Sequence, residues 1–254
     1  MDYQGFETLR DANGLRVFLV AGTPSPWGQA AKAMLEYKGI DCAYGAWIPG
    51  EANDELASWS GIHSGPVVAY NDEKPIDKWN DVLFLLERIA PKPSLIPEDA
   101  LDRALMFGFS HEICGELGLG WNRRLSMFAP AMESGQAPEG IVRMSGKYNY
   151  NADDVAAASA RVAATMKALT AQLETQHAKG SDYFIGDSLT ALDFYWCAFS
   201  NLVEIMSWEK IPLAEDWRPL FVHDDKAVHG AHSDLLKAHR DRIFEAHFKN
   251  PMEF

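Results

Sequence analysis

A chain of 254 residues, 47% hydrophobic and 23% charged, is long for one core and has an ordinary globular balance, which excludes disorder. Thirty-six acidic against 23 basic residues leave a net charge of −13, a sign that repels phosphate backbones and anionic lipid and so argues against nucleic-acid and membrane partners. No apolar run approaches the ~20 residues of a membrane span. The opening Met1-Asp2-Tyr3-Gln4-Gly5-Phe6-Glu7 lacks the basic region and apolar stretch of a signal peptide, so a cytoplasmic protein is expected.

The first ~90 residues alternate between strand and helix patterns. Leu15 to Val20 is a short apolar, β-branched run ending at Ala21-Gly22, and reads as a buried strand. Thr23-Pro24-Ser25-Pro26 supplies a turn, and a helix follows from about Trp27 to Tyr37, with Ala30, Ala31, Ala33, Met34 and Leu35 as its apolar face. Cys42 to Ile48 reads as a second strand, and Asn53 to Trp59 as a short helix capped by Asn53. Gly65 to Tyr70 is a third strand with a proline near its start. Pro75-Ile76-Asp77 has room only for a short fourth, joined to the third as a hairpin. A helix from Trp79 to Ile89 completes the series.

Pro91-Lys92-Pro93-Ser94-Leu95-Ile96-Pro97 is the kind of segment found between domains. Beyond it the strand signals stop. Helical patterns cover Ala100–Phe128, Asp153–His177, Thr190–Met206 and Ser233–Phe248, while Gly135 to Asn151, rich in Gly, Pro and Asn, reads as an exposed loop. Alternating elements followed by helices alone imply two domains, residues 1–90 and 99–254, with 91–98 as the connector. The three cysteines, Cys42, Cys114 and Cys197, form no Cys-x-x-Cys pair and are expected to be reduced and mostly buried.

With these elements in place, the chain resembles the cytosolic glutathione transferases over nearly its whole length. The resemblance rests on four places: Phe18-Leu19-Val20 leading into Ser25-Pro26-Trp27-Gly28-Gln29-Ala30; Gly65-Pro66-Val67-Val68, similar to the family's cis-proline strand; the Pro-rich connector; and Phe184-Ile185-Gly186-Asp187-Ser188-Leu189-Thr190-Ala191-Leu192-Asp193, similar to its capping motif in a core helix. It implies an α/β thioredoxin-like N-terminal domain, an all-α C-terminal domain and a homodimer. Thr190 and Asp193 have the spacing of a capping box, which satisfies orphan amides at a helix start and serves folding.

The resemblance implies roles for several residues. Ser25, at the start of the first helix, would donate a hydrogen bond to the glutathione sulfur and favour thiolate, as serine-type members do. It also reads as a plain N-cap, and Thr23 is its nearest substitute. Gly65, before Pro66, would pair its main chain with the cysteinyl part of glutathione as though adding a strand. The acidic residue and serine that usually bind the γ-glutamyl end are replaced by Asp77 and Lys78 in one register, or by Lys78 and Trp79 in another. The serine is lost in both, and lysine cannot supply its compact donor.

Ser110-His111-Glu112 lies on a helix of the kind that lines the second-substrate pocket. Trp27, His111, Trp121 and Arg124 are the candidate pocket residues, the paired arginines Arg123-Arg124 standing out as anion binders in an acidic protein. No second histidine stands at the spacing of a zinc helix, so no metal is expected. The leading function is glutathione-dependent transfer, lysis or isomerisation acting on a small hydrophobic electrophile. A non-enzymatic binding or scaffold protein, and an enzyme that uses the pocket without glutathione, remain as alternatives on the same fold.

Overall fold

The computed structural model describes residues 1–254. Its sheet has three strands, β1 (Leu15–Val20), β2 (Cys42–Trp47) and β3 (Val67–Tyr70), in the order β2-β1-β3. β1 runs parallel to β2, with Leu15 opposite Cys42 and Val20 opposite Trp47, and antiparallel to β3, with Phe18 opposite Val67. The central strand is buried at every residue from Leu15 to Leu19, which is why its sequence reads as a continuous apolar run. Arg16 is its one charged member. It is buried and directs its guanidinium to the backbone carbonyls of Ala12 and Asn71.

The expected fourth strand shrinks to one bridge. Ile76 exchanges two backbone hydrogen bonds of 2.8 Å with Val68, and nothing further pairs. Around the sheet lie α1 (Phe6–Arg10), which the sequence reading lacked, α2 (Pro26–Tyr37), α3 (Asp54–Ser60) and α4 (Trp79–Ile89). Asn53 precedes α3 but does not cap it with its side chain. It sits at φ 53 and spends its amide on Ile48 and Glu51, closing the turn after β2 instead. Gly45 on β2 is required by packing, since a Cβ there would lie 2.4 Å from the Phe18 ring.

After residue 90 only helices follow: α5 (Ala100–Cys114), α6 (Leu119–Glu133), α7 (Glu139–Lys147), α8 (Ala152–Ala178), α9 (Ala191–Phe199), α10 (Lys226–Ala231) and α11 (Asp234–His247). The helix expected over 100–128 is broken at Gly115–Gly118. Leu117 there has φ 59, and Asn122 turns its side-chain amide onto the Leu117 and Gly118 carbonyls. The segment expected as an exposed loop, 135–151, contains α7. The helix expected over 190–206 stops at Phe199 and passes into a 3₁₀ turn at Ser200–Leu202. There Asn201 takes the Met206 amide onto its side-chain oxygen.

The Pro-rich connector is pinned on both sides. Glu87 of α4 accepts hydrogen bonds from the Leu95 amide at 2.9 Å and the Ser94 hydroxyl at 2.8 Å, and its carboxylate meets the buried Lys38 ammonium at 2.8 Å. The Leu95 carbonyl in turn accepts from Ala191 at the start of α9. One apolar core then runs from Val17 and Met34 through Phe194 and Trp196 to Phe244, with α9 buried at every residue.

The start of α9 is held by the expected capping box. Asp193, fully buried, accepts from the Thr190 amide at 2.8 Å, the Thr190 hydroxyl at 3.0 Å and the Phe184 amide at 3.2 Å, and lies 3.0 Å from His239 Nε2. Removing this carboxylate strands the Thr190 and Phe184 amides in the core. Asp193→Ala is expected to lower unfolding free energy by about 3 kcal/mol in urea titration, and a loss below about 1 kcal/mol would show the box to be dispensable.

Candidate functional site

The site is built from the start of α2 upward. Ser25 is its N-cap and Pro26 occupies the first helical position, where a missing N–H costs nothing. The Ser25 carbonyl accepts the Gln29 amide at 2.9 Å, but its hydroxyl makes no capping hydrogen bond. Ser25 is therefore a cap by backbone only, and leaves an uncommitted donor at the positive end of a 12-residue helix. Thr23, equally buried, contributes its carbonyl to the Ser25 amide at 2.8 Å.

Gly65–Pro66 is a cis peptide directly before β3. No hydrogen bond within the chain engages the Gly65 N–H or C=O, so both groups are free to pair with an extended partner. A side chain at this position is excluded on its inner side, since a Cβ would lie 2.8 Å from Val20 Cγ2. Beside Pro66 is a small cavity of about 10 Å³, room for about one water. Trp27, Met34, Asp77, Trp79 and Tyr195 complete its wall. Asp77 thus faces the same space as Pro66 and Trp27. Lys78 is 68% exposed and approaches Asp77 to 3.8 Å from outside.

The helical wall gathers three of the four residues expected in the pocket. Trp27 donates its indole N–H to the Cys114 carbonyl at 3.0 Å and meets Phe199 edge-on at 4.7 Å. Trp121 meets Tyr148 edge-on at 4.8 Å, and Trp27 lies 6.3 Å from the same ring. Arg124 stands beside this phenol: burial pushes Tyr148 up, and the Arg124 guanidinium pulls it back. The neighbouring Arg123 has a different use, donating Nε to the Leu202 carbonyl at 2.8 Å from a buried position. His111 does not join the group. It is exposed, and its ring lies over Gly115, where a Cβ would come within 2.4 Å of it.

Two residues that the sequence reading missed complete the site. Lys147 and Tyr148 stand at the end of α7, and the Lys147 ammonium donates to the Ser64 hydroxyl, immediately before Gly65. The signal was the spacing of Ile141, Met144 and Tyr148, one helical face inside a Gly- and Pro-rich stretch. Burial pushes the Lys147 ammonium down to about 8, Asp77 opposes this, and Lys78 and Arg124 add to it.

No family model matches the sequence, and no curated protein matches it. Solved structures do. A tau-class glutathione S-transferase from mango, Mangifera indica, is 20% identical, with 92% of this chain and 99% of that chain covered at a TM-score of 0.54. A glutathione S-transferase from Methylobacterium radiotolerans, in complex with glutathione sulfonate, is 16% identical over 91% of each chain, at 0.59. Maleyl pyruvate isomerase, a bacterial zeta-class glutathione S-transferase, is 18% identical over 88% of this chain and 95% of that one, at 0.53. The chain thus has the glutathione transferase fold, a thioredoxin-like α/β unit followed by helices.

The setting of Lys147 has a titration signature. Competitive acylation across pH should show this one amine half-deprotonated near pH 8, and an ordinary value near about 10.4 would place it in open water instead.

Proposed function

We propose that this protein binds reduced glutathione at the start of α2 and uses it to transfer to, cleave or isomerise a small electrophile. The observation that carries the reading is the pair of uncommitted groups on either side of one site: the Ser25 hydroxyl without a capping bond, and the Gly65 peptide without a partner. Glutathione, when bound, supplies the nucleophilic sulfur. Ser25 Oγ–H would donate to that sulfur, and the α2 N-terminus would favour its negative charge. The Gly65 N–H and C=O would hold the cysteinyl main chain as a strand is held. Asp77 would accept from the γ-glutamyl ammonium, and Lys78 would attract its carboxylate. The rate gain would come from lowering a thiol pKa and holding the sulfur beside the electrophile.

In this reading residues 1–90 form the glutathione-binding domain and 99–254 the domain that supplies the second-substrate wall, joined by 91–98. The exposed apolar side chains Phe84, Leu101 and Leu105 support a homodimer. Light scattering should then return about twice the chain mass of 28.3 kDa, and the chain mass alone would refute the dimer. No helix is long and apolar enough to cross a membrane, and all three cysteines are free, which supports a cytoplasmic location.

Calorimetric titration with reduced glutathione tests the main reading. Binding in the micromolar to low-millimolar range, weakened by Lys78→Ala, is expected. Ser25→Ala should retain binding but lose the depressed thiol pKa of the bound peptide. No heat at several millimolar would refute glutathione use and leave a scaffold or a glutathione-independent enzyme on this fold.

A further inference from the structure

We infer that Arg124 and Lys147 form a carboxylate-binding subsite beside Trp121 and Tyr148, so that the second ligand is a carboxylic acid with an apolar body rather than a neutral hydrophobe. The inference deepens the preceding reading by naming the substrate class of the same site, but its test does not depend on glutathione.

Four observations converge on Tyr148. Trp121 and Trp27 approach its ring at 4.8 and 6.3 Å, inclined to it by 66° and 53°, which makes an apolar aromatic cluster. The Lys147 ammonium stands 5.8 Å from the centre of that ring, and Arg124 is close enough to oppose the upward shift of its phenol. Two cations therefore rim one aromatic wall.

Neither cation has a carboxylate partner. Arg124 Nε is buried and makes no hydrogen bond, and the guanidinium's side-chain neighbours are the Met127 sulfur at 3.7 Å and the Tyr148 phenol. Lys147 is held by a neutral hydroxyl, that of Ser64. The one acid in the electrostatic surroundings of Lys147, Asp77, is already faced by Lys78 at 3.8 Å. Arg88, Arg143 and Arg161 each find a carboxylate, whereas Arg124 and Lys147 stand near one another without one. An arginine left with Nε free offers one edge of its fork for side-on, bidentate pairing with a carboxylate. The depressed Lys147 agrees with this, since a bound anion would restore its charge.

Placement fits as well. Lys147 touches Ser64, next to the free Gly65 peptide, while Trp27 lies two residues beyond Ser25 on α2. A ligand packed against Trp121 with its carboxylate on Arg124 and Lys147 would therefore lie near both uncommitted groups.

The test is calorimetric titration of the full chain, without glutathione, with trans-cinnamate and with its methyl ester, for the wild type, Arg124→Gln, Lys147→Gln and the double variant. Each variant is first confirmed folded by its thermal melt. Wild type should bind the acid about tenfold or more tightly than the ester, and each single variant should lose most of that preference while keeping its affinity for the ester. Equal affinity for acid and ester, no binding of the acid at millimolar concentration, or a preference that survives in the double variant would each overturn the proposal. Glutathione titrated into the same variants separates the two readings: loss of its binding in Arg124→Gln or Lys147→Gln would assign these cations to the peptide and overturn the subsite.

Discussion

Trp27 is the wedge on which the site depends. It is the second residue of α2, so its backbone belongs to the sheet-bearing part of the chain, yet its indole is committed to the helical part. Its N–H holds the last carbonyl of α5, and its ring stands edge-on to Phe199 at the end of α9. The fit leaves no room on the third side. A Cβ at Gly120 would come within 3.0 Å of Trp27 and 2.4 Å of Phe199, so the start of α6 must carry a glycine there. Because Ser25 lies two residues before this wedge and Pro66 faces it, the angle between the two parts of the chain also fixes the geometry of the candidate site.

The second constraint is the strap formed by α7. Arg143 donates to the Gly50 carbonyl at 2.8 Å, Gly140 packs against the Gly50 backbone, and Lys147 reaches Ser64. These contacts lay a helix from the second half of the chain across two loops of the first. They bring the positive charge of Lys147 beside the Trp121–Tyr148 pair.

Much of the fold was legible in the sequence because local and global preferences agree there. The β1 run, the alanine-rich face of α2, the connector and the Thr190–Asp193 box each carry a pattern that tertiary packing reinforces. The failures have equally local causes. α7 was hidden because Gly140, Gly146 and Pro138 read as loop residues, while its helix is sustained by Ile141 and Met144 packing around Tyr148. The break between α5 and α6 depends on Asn122 folding its side chain back onto Leu117, an interaction that no periodicity reveals. The same holds in the site. Ser25, Gly65, Trp27 and Arg124 could be singled out from sequence, whereas Lys147 could not, since its role depends on a contact to Ser64 across 83 residues of chain. His111, singled out for its chemistry, turned out to be exposed and packed over its own helix end.

The most direct test of the account is to map where glutathione acts on the molecule, by following backbone amide resonances of labelled protein during titration. Shifts concentrated at Ser25 to Gly28, Ser64 to Val67 and the start of α4 are the predicted result. Saturable shifts confined to another surface, or none at these residues, would contradict the claim that the start of α2 beside Trp27 is the functional site.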